Sequence, residues 1–238
     1  MTSSTPISQI LVTDVSVKAG GSIRLIELNR PDKLNCLSLE MLNALFAALQ
    51  KTEKASAIVL TGAGRSFCTG LDFKEIGDPK DVTSDSAGKH LQLLVRIFRW
   101  LITTNVPVVV LAKGHAVGGG AGLVACSQSA VVSPDFRFKL PGGNLAGLAC
   151  VALPLCNLRS NGRVQIDAAW LGRELDATAA RQLGLVDEVV SSAQLDETIL
   201  SLKRGEISPE LLLPKRWNDS EVGKTLAELD RFLRLGRI

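Results

Sequence analysis

The chain has 238 residues, 46% of them apolar and 4% aromatic, with no tyrosine and a formal net charge of +3. That length and apolar content allow one large aliphatic core, and no Gly/Ser- or Pro-rich linker divides the chain. The small, scattered charge forms no basic stripe with interleaved aromatics, which argues against a nucleic-acid-binding surface. The longest apolar run, 106–112, is too short to cross a bilayer.

Five cysteines, Cys36, Cys68, Cys126, Cys150 and Cys156, stand in apolar or small-residue settings. Their odd number, the absence of a CxxC pair and the presence of only two histidines point to reduced thiols and no metal site. Met1–Gln9 carries neither a charged leader nor an apolar block, so a cytoplasmic location is expected.

Taken in order, Ile10–Val17 and Ile23–Leu28 read as strands joined by a turn at Ala19–Gly21, a hairpin. After a polar turn at Arg30–Lys33, Ser38 can cap a helix over Leu39–Glu53 with Leu39, Leu42, Leu45, Phe46 and Leu49 on one face. Ile58–Thr61 is a strand, a Gly-rich turn follows, and a short helix runs from Phe73 to Ile76. Asp78–Gly88 is polar and expected to be mobile. Gly88–Ile102 is a helix with Leu91, Leu94, Val95, Phe98 and Leu101 inward, which leaves His90 as a surface residue. Val106–Ala112 is a buried strand, and Ala130–Ser133 and Leu185–Val190 are further strands. Phe136–Pro141 is extended, 142–152 is small and apolar, and helices are expected over Gln165–Leu171 and Ala177–Gln182. Beyond Leu195 the pattern is helical and charged, with a stripe of Leu226, Leu229, Phe232, Leu233 and Leu235. Alternating strands and helices define an α/β fold. A core is expected over residues 1–190 and a helical C-terminal region, a cap or oligomerisation element, over 191–238.

Two stretches carry the chemistry. Gly114-His115-Ala116-Val117-Gly118-Gly119-Gly120-Ala121-Gly122 sits where a strand ends and a helix begins, and Gly62-Ala63-Gly64-Arg65-Ser66-Phe67-Cys68-Thr69-Gly70-Leu71-Asp72 has the same setting. Strand-to-helix turns of this kind present backbone N–H groups outward. Two of them can each lend one N–H to a single oxygen atom and form an oxyanion hole.

Together with Asn29-Arg30-Pro31-Asp32-Lys33-Leu34-Asn35 these stretches resemble, in order and spacing, the motifs of the crotonase (enoyl-CoA hydratase/isomerase) family. Leu171–Ala177 and Gly184–Val190 resemble its later motifs, so the likeness covers residues ~10–195. The resemblance implies a crotonase-like spiral of repeated β-β-α turns with helices outside. It also implies C-terminal helices that cover the active site, and a homo-trimer or hexamer.

It further implies a substrate that is an acyl thioester of CoA, or of phosphopantetheine on an acyl carrier protein, with no tightly bound cofactor. The backbone N–H groups of Leu71 and Gly119 would hold the thioester carbonyl. Arg30 and Lys33 would stand near the CoA phosphates, with Leu34, Cys68 and Gly70 around the adenine and pantetheine. Asp72 and His115 are the catalytic side-chain candidates, each with a structural alternative: loop shaping for Asp72 and a hydrogen bond for His115. Glu75, Lys74, His90, Asn144 and Cys150 lie near enough in sequence to be weighed and read as structural or solvated.

Hydratases of the family carry one glutamate two residues after the triple glycine and another after a proline; here these positions are Gly122 and Gly142. Adding water to a double bond needs an acid and a base at the substrate, and neither position supplies one. Loss of CO2 forms the enolate without a base, and glycine at both positions is expected to leave room for the departing carboxylate. A decarboxylase-type reaction therefore fits best. Two alternatives stay open. One is a hydratase, dehydratase or isomerase with a non-standard acid/base. The other is a degenerate member that binds thioesters or serves as a scaffold without turnover. Gly147–Pro154 resembles the polyketide β-branching members, which favours a carrier-protein substrate.

Overall fold

A computed structural model describes residues 8–16, 21–52, 55–77, 84–206 and 219–235. The expected turn residues Ala19 and Gly20, most of the polar segment after Asp78, and the helical expectation for 207–218 lie outside the described residues.

Strand β1 (Ile10–Ser16) pairs antiparallel with β2 (Ser22–Leu28), which is the expected hairpin. Helix α1 (Leu39–Leu49) follows, its N-terminus capped by Ser38, whose Oγ accepts the Met41 N–H at 3.0 Å. Strand β3 (Ala57–Gly62) runs parallel to β2, and the short α2 (Phe73–Ile76) leads towards α3 (Asp85–Thr103). Then come β4 (Val108–Ala112), β5 (His115–Val117), α4 (Gly119–Ala125), β6 (Ser129–Val132) and β7 (Arg137–Lys139). The first sheet has the order β1-β2-β3-β4-β6-β9 and the second β5-β7-β8, where β8 is Glu174–Asp176 and β9 is Glu188–Val189. The repeat is visible in β4-β5-α4: one strand in the large sheet, one in the small sheet, then a helix. The chain is thus a mixed α/β spiral.

Both faces of the large sheet are covered. On β4, Val108, Val110 and Ala112 join the main core with α1 and α3, while Val109 and Leu111 face the other way. Such two-sided burial explains why β3 and β4 read as unbroken apolar runs. The second face is closed by α8 (Ser192–Arg204), which inserts Leu195 and Leu202 against Ile23, Leu25, Val59 and Leu111. Lys113–Asp196 and Lys203–Glu27 ion pairs tether the same helix. Helix α9 (Asp219–Leu235) packs on α3 and on α6 (Leu153–Ser160), burying Leu229. The side chains of Phe232, Leu233 and Leu235 lie outside the described residues.

Three local expectations are corrected, and a stretch read only as small and apolar gains a structure. Residues 165–171 form a single 3-10 turn over Ala168–Trp170, not a helix. The Asn157 side chain binds both the N–H and the C=O of Ile166, at 2.6 and 2.9 Å, and holds that residue out of a helical ladder. Residues 143–160 are almost continuously helical: a 3-10 turn, α5 (Ala146–Ala149), a second 3-10 turn and α6. Pro154 stands in the first turn of α6, where its missing N–H costs nothing. The last strand shrinks to β9, after α7 (Ala177–Gln182), because Leu185 and Val186 still donate to Ala180 O at the end of that helix. His90 is 2% exposed, not a surface residue: Nδ1 lies 2.8 Å from Ser86 O and Nε2 3.0 Å from Glu75 Oε2.

Leu195 is fully buried at the α8–sheet contact. Leu195→Ala is expected to lower unfolding free energy by about 2–5 kcal/mol in urea titration, since the sheet cannot collapse into the space.

Candidate functional site

The turns after β3 and β5 lie side by side because their backbones pair. Cys68 N–H donates to His115 O and Val117 N–H to Cys68 O, each at 3.0 Å. The approach is close enough to require glycine. A Cβ on Gly70, whose φ is +86°, would lie 2.7 Å from Val117 O, and one on Gly120 would lie 2.1 Å from Cys68 O.

A second isolated bridge orients the next peptide. Leu37 N–H donates to Gly70 O at 2.7 Å, and Asp72 N–H donates to Leu37 O at 3.0 Å. In a trans peptide the C=O and N–H point opposite ways. With Gly70 O committed to Leu37, the Leu71 N–H must point away from it. The same logic holds across the loop: Gly118 O accepts Gly122 N–H at 2.9 Å, so Gly119 N–H points out from the start of α4. Among the described residues neither N–H has an acceptor.

Leu71 and Gly119 line one narrow cleft, with about 20 Å3 open to water. Its walls are Thr69, Gly70, Phe73, Leu94, Gly118, Pro141, Leu145, Leu148 and Ala149. Among the described residues no titratable side chain lines it, and the Thr69 hydroxyl is already bound to Leu34 O at 3.2 Å. Two unpaired N–H groups in an apolar cleft can hold an oxygen that gains negative charge.

Of the other sequence candidates, Gly70 lines this cleft and the rest fall outside it. Asp72 caps α2, with Oδ1 accepting Lys74 N–H at 3.1 Å and Oδ2 paired to Arg30 Nη1 at 3.0 Å. Burial would raise its carboxyl, but the bonds from Arg30, Cys36 and Lys74 outweigh it and hold the group below the usual carboxylate range. Arg30 turns inward, donating also to Cys36 O at 2.8 Å. Lys33 is exposed at the end of a 3-10 turn, and Leu34 follows in the left-handed region, φ 50°. Cys68 is fully buried, and burial pushes its thiol up to about 12. His115 is exposed, its Nδ1 3.5 Å from Ser66 Oγ. Asn144 is exposed and Cys150 half-buried. Among the described residues, none of α8 or α9 lines the cleft.

Gly122 and Gly142 do not leave empty space, which corrects the sequence expectation. A Cβ on Gly122 would lie 2.3 Å from Phe98 Cζ, so the fully buried Phe98 ring stands where an acidic side chain would begin. A Cβ on Gly142 would lie 3.0–3.1 Å from the Leu171–Gly172 backbone. Phe98 and the cleft residue Leu94 are the site residues that sequence reasoning missed. Both lie on the apolar face of α3, where a site wall and a core residue look alike.

A family model described as Enoyl-CoA hydratase/isomerase matches residues 23–230. The chain is 32% identical over 190 residues to the "Probable enoyl-CoA hydratase echA12" of Mycobacterium leprae (strain TN), covering 76% of this chain and 64% of that protein. The chain thus spans just under two thirds of that relative. The "Probable enoyl-CoA hydratase" of Rhizobium meliloti (strain 1021) is 28% identical over 225 residues, 92% of this chain and 86% of that one. Among solved structures, an enoyl-CoA hydratase/isomerase from Xanthobacter autotrophicus Py2 superposes with a TM-score of 0.71 at 20% identity, covering 97% and 87% of the two chains, which speaks to the fold alone. The protein belongs to the enoyl-CoA hydratase/isomerase, or crotonase, family. Among the described residues no cluster of three or more His, Cys, Asp or Glu side chains could hold a metal ion, and no helix is long and apolar enough to cross a membrane.

Two outcomes follow from the packing. Gly122→Ala is expected to cost about 1–3 kcal/mol by overpacking, with much of the loss recovered in the Gly122→Ala/Phe98→Leu double variant, measured by urea denaturation. Asp72, with its lowered pKa, contributes stability that is present above the unfolded carboxyl pKa and lost as pH falls through its folded value. Asp72→Asn should therefore be less stable at pH 7, on the order of 1–3 kcal/mol, and should lose less on further acidification than the parent.

Proposed function

We propose that this protein binds an acyl thioester of CoA, or of phosphopantetheine on a carrier protein, and stabilises the enolate left by loss of CO2. The thioester carbonyl oxygen sits between the N–H groups of Leu71 and Gly119. The observation that carries this reading is the pair of unpaired N–H groups in a cleft without an acid or base. In a β-carboxyacyl thioester the bond between the α-carbon and the carboxylate breaks, and in its vinylogue, a 3-methylglutaconyl thioester, the bond between the γ-carbon and the carboxylate. Its electrons move onto that carbon and the thioester oxygen, CO2 departs, and water at the cleft mouth returns a proton to the carbon. Each preorganised donor is worth ~3–4 kcal/mol to the developing oxyanion. The apolar walls give the carboxylate no compensating hydrogen bond, which favours its release as neutral CO2.

The relatives are named hydratases. Hydration needs proton transfers at two carbons, and Phe98 fills the space at Gly122. Crotonyl-CoA hydration should therefore fall well below the usual enzyme range of ~1–1000 per second. Lys33 and Leu34 with the Cys68–Gly70 backbone are the groups we assign to the CoA moiety, and assembly as a trimer or hexamer completes the reading.

A second reading, thioester binding without turnover, is favoured by the narrowness of the cleft and the lack of a proton donor in its wall. One experiment separates the two. Malonyl-, methylmalonyl- and 3-methylglutaconyl thioesters, on CoA and on a carrier protein, are incubated in heavy water and weighed by mass spectrometry. The expected result is loss of one CO2 with one deuterium taken up on carbon in its place. Bound thioesters unchanged in mass and without α-deuterium would establish binding alone. Deuterium without CO2 loss would reveal a base and favour an isomerase or dehydratase.

A further inference from the structure

The Arg30 side chain, which the resemblance places at the CoA phosphates, is half-buried at 18% exposed and turns its Nη1 to neighbouring loop atoms. Nη1 donates to two acceptors: Cys36 O at 2.8 Å and Asp72 Oδ2 at 3.0 Å. It also lies 3.4 Å from Cys36 Sγ. These partners flank the bridge that orients the Leu71 peptide. Cys36 precedes Leu37, and Asp72 follows Leu71. One nitrogen therefore fastens the two segments together just beside the bridge.

That contact adds to a short pairing: two backbone hydrogen bonds form the bridge, and Thr69 N–H donating to Leu34 O at 3.2 Å joins the same two loops on its other side, with no strand flanking them. Asp72 is a rigid anchor, since its other oxygen caps α2. Slippage between Leu37 and Gly70 would free the Gly70 carbonyl and let the Leu71 N–H rotate out of the cleft. Misplacement by about 1 Å can cost 10²-fold in rate.

We propose that Arg30 is a positioning residue for the oxyanion pair: by joining Cys36 to Asp72 it holds the Leu71 N–H on the thioester oxygen, and it does not bind the phosphates of CoA. This rests on the thioester reading above.

The test uses butyryl-CoA and butyryl-pantetheine, each with 13C at the thioester carbonyl; the second lacks the nucleotide and its phosphates. Isotope-edited infrared spectroscopy reads the carbonyl band of the bound probe, which moves to lower frequency as N–H donors polarise it. In the parent protein both probes should show the shift. Arg30→Ala should bind both with less than about a tenfold loss of affinity yet lose most of the band shift, and Arg30→Lys, which retains the charge, should recover part of it. Where Arg30→Ala does not fold, Asp72→Asn decides in its place: it keeps an oxygen for the α2 cap, removes the ion pair and should lose the shift. If Arg30→Ala instead loses the CoA probe while binding butyryl-pantetheine with an unchanged band, Arg30 is a phosphate ligand and the proposal is wrong. An unchanged band with both probes in every variant also overturns it. If the parent protein binds neither probe, or binds them without a shift, the thioester reading itself fails and takes this proposal with it.

Discussion

The peptide between Gly70 and Leu71 can face only one way, and the site depends on that. Its carbonyl is bound by Leu37 N–H at 2.7 Å, so its N–H is turned into the cleft without an acceptor. An unpaired amide at the edge of a packed core is costly unless a ligand or water meets it. Here two such amides open on one cleft, from loops held together by the Cys68–Ala116 bridge. The large sheet makes this arrangement possible. Its parallel strands β3 and β4 deliver both loops to the same edge, and Leu37, just before α1, and Leu94 of α3 pack against Gly119.

The absence of side-chain chemistry in the cleft is a matter of packing as much as of composition. At Gly122 the buried Phe98 ring occupies the volume of a side chain, and at Gly142 the Leu171–Gly172 backbone closes in. The glycines and their neighbours fit one another. Restoring an acidic residue at position 122 would require moving an aromatic ring from the core, beyond placing a charge in an apolar setting. This mutual fit favours chemistry in which the backbone handles charge and no nearby side chain handles protons.

The polar residues near the site work as fasteners. Asp72 caps α2 and pairs with Arg30, Glu75 binds both the Leu39 N–H and His90, and Asn157 pins Ile166. Each of these side chains has found a partner in the protein, as the cost of desolvation favours. Sequence reading assigns such residues to ligands readily, because arginine, aspartate and histidine serve both purposes with the same atoms.

The sequence alone determined the α/β class, the hairpin, the Ser38 cap and the two Gly-rich turns that form the candidate site, while the spiral came from the family resemblance. These features are local: period-two and period-3.6 patterns, a capping hydroxyl and glycines at strand ends are written in neighbouring residues. The glycines at positions 122 and 142 were equally legible. Only the tertiary structure decided what packs against them, where Arg30 points, that His90 is buried, and that Gln165–Leu171 is not a helix. Each of these turns on a partner far away in the chain: Phe98 for Gly122, Asp72 for Arg30, Glu75 for His90 and Asn157 for Ile166. A local pattern records which side a residue faces, whereas the identity of the atom it meets is set by packing between distant segments, and that packing decided the chemistry of this site.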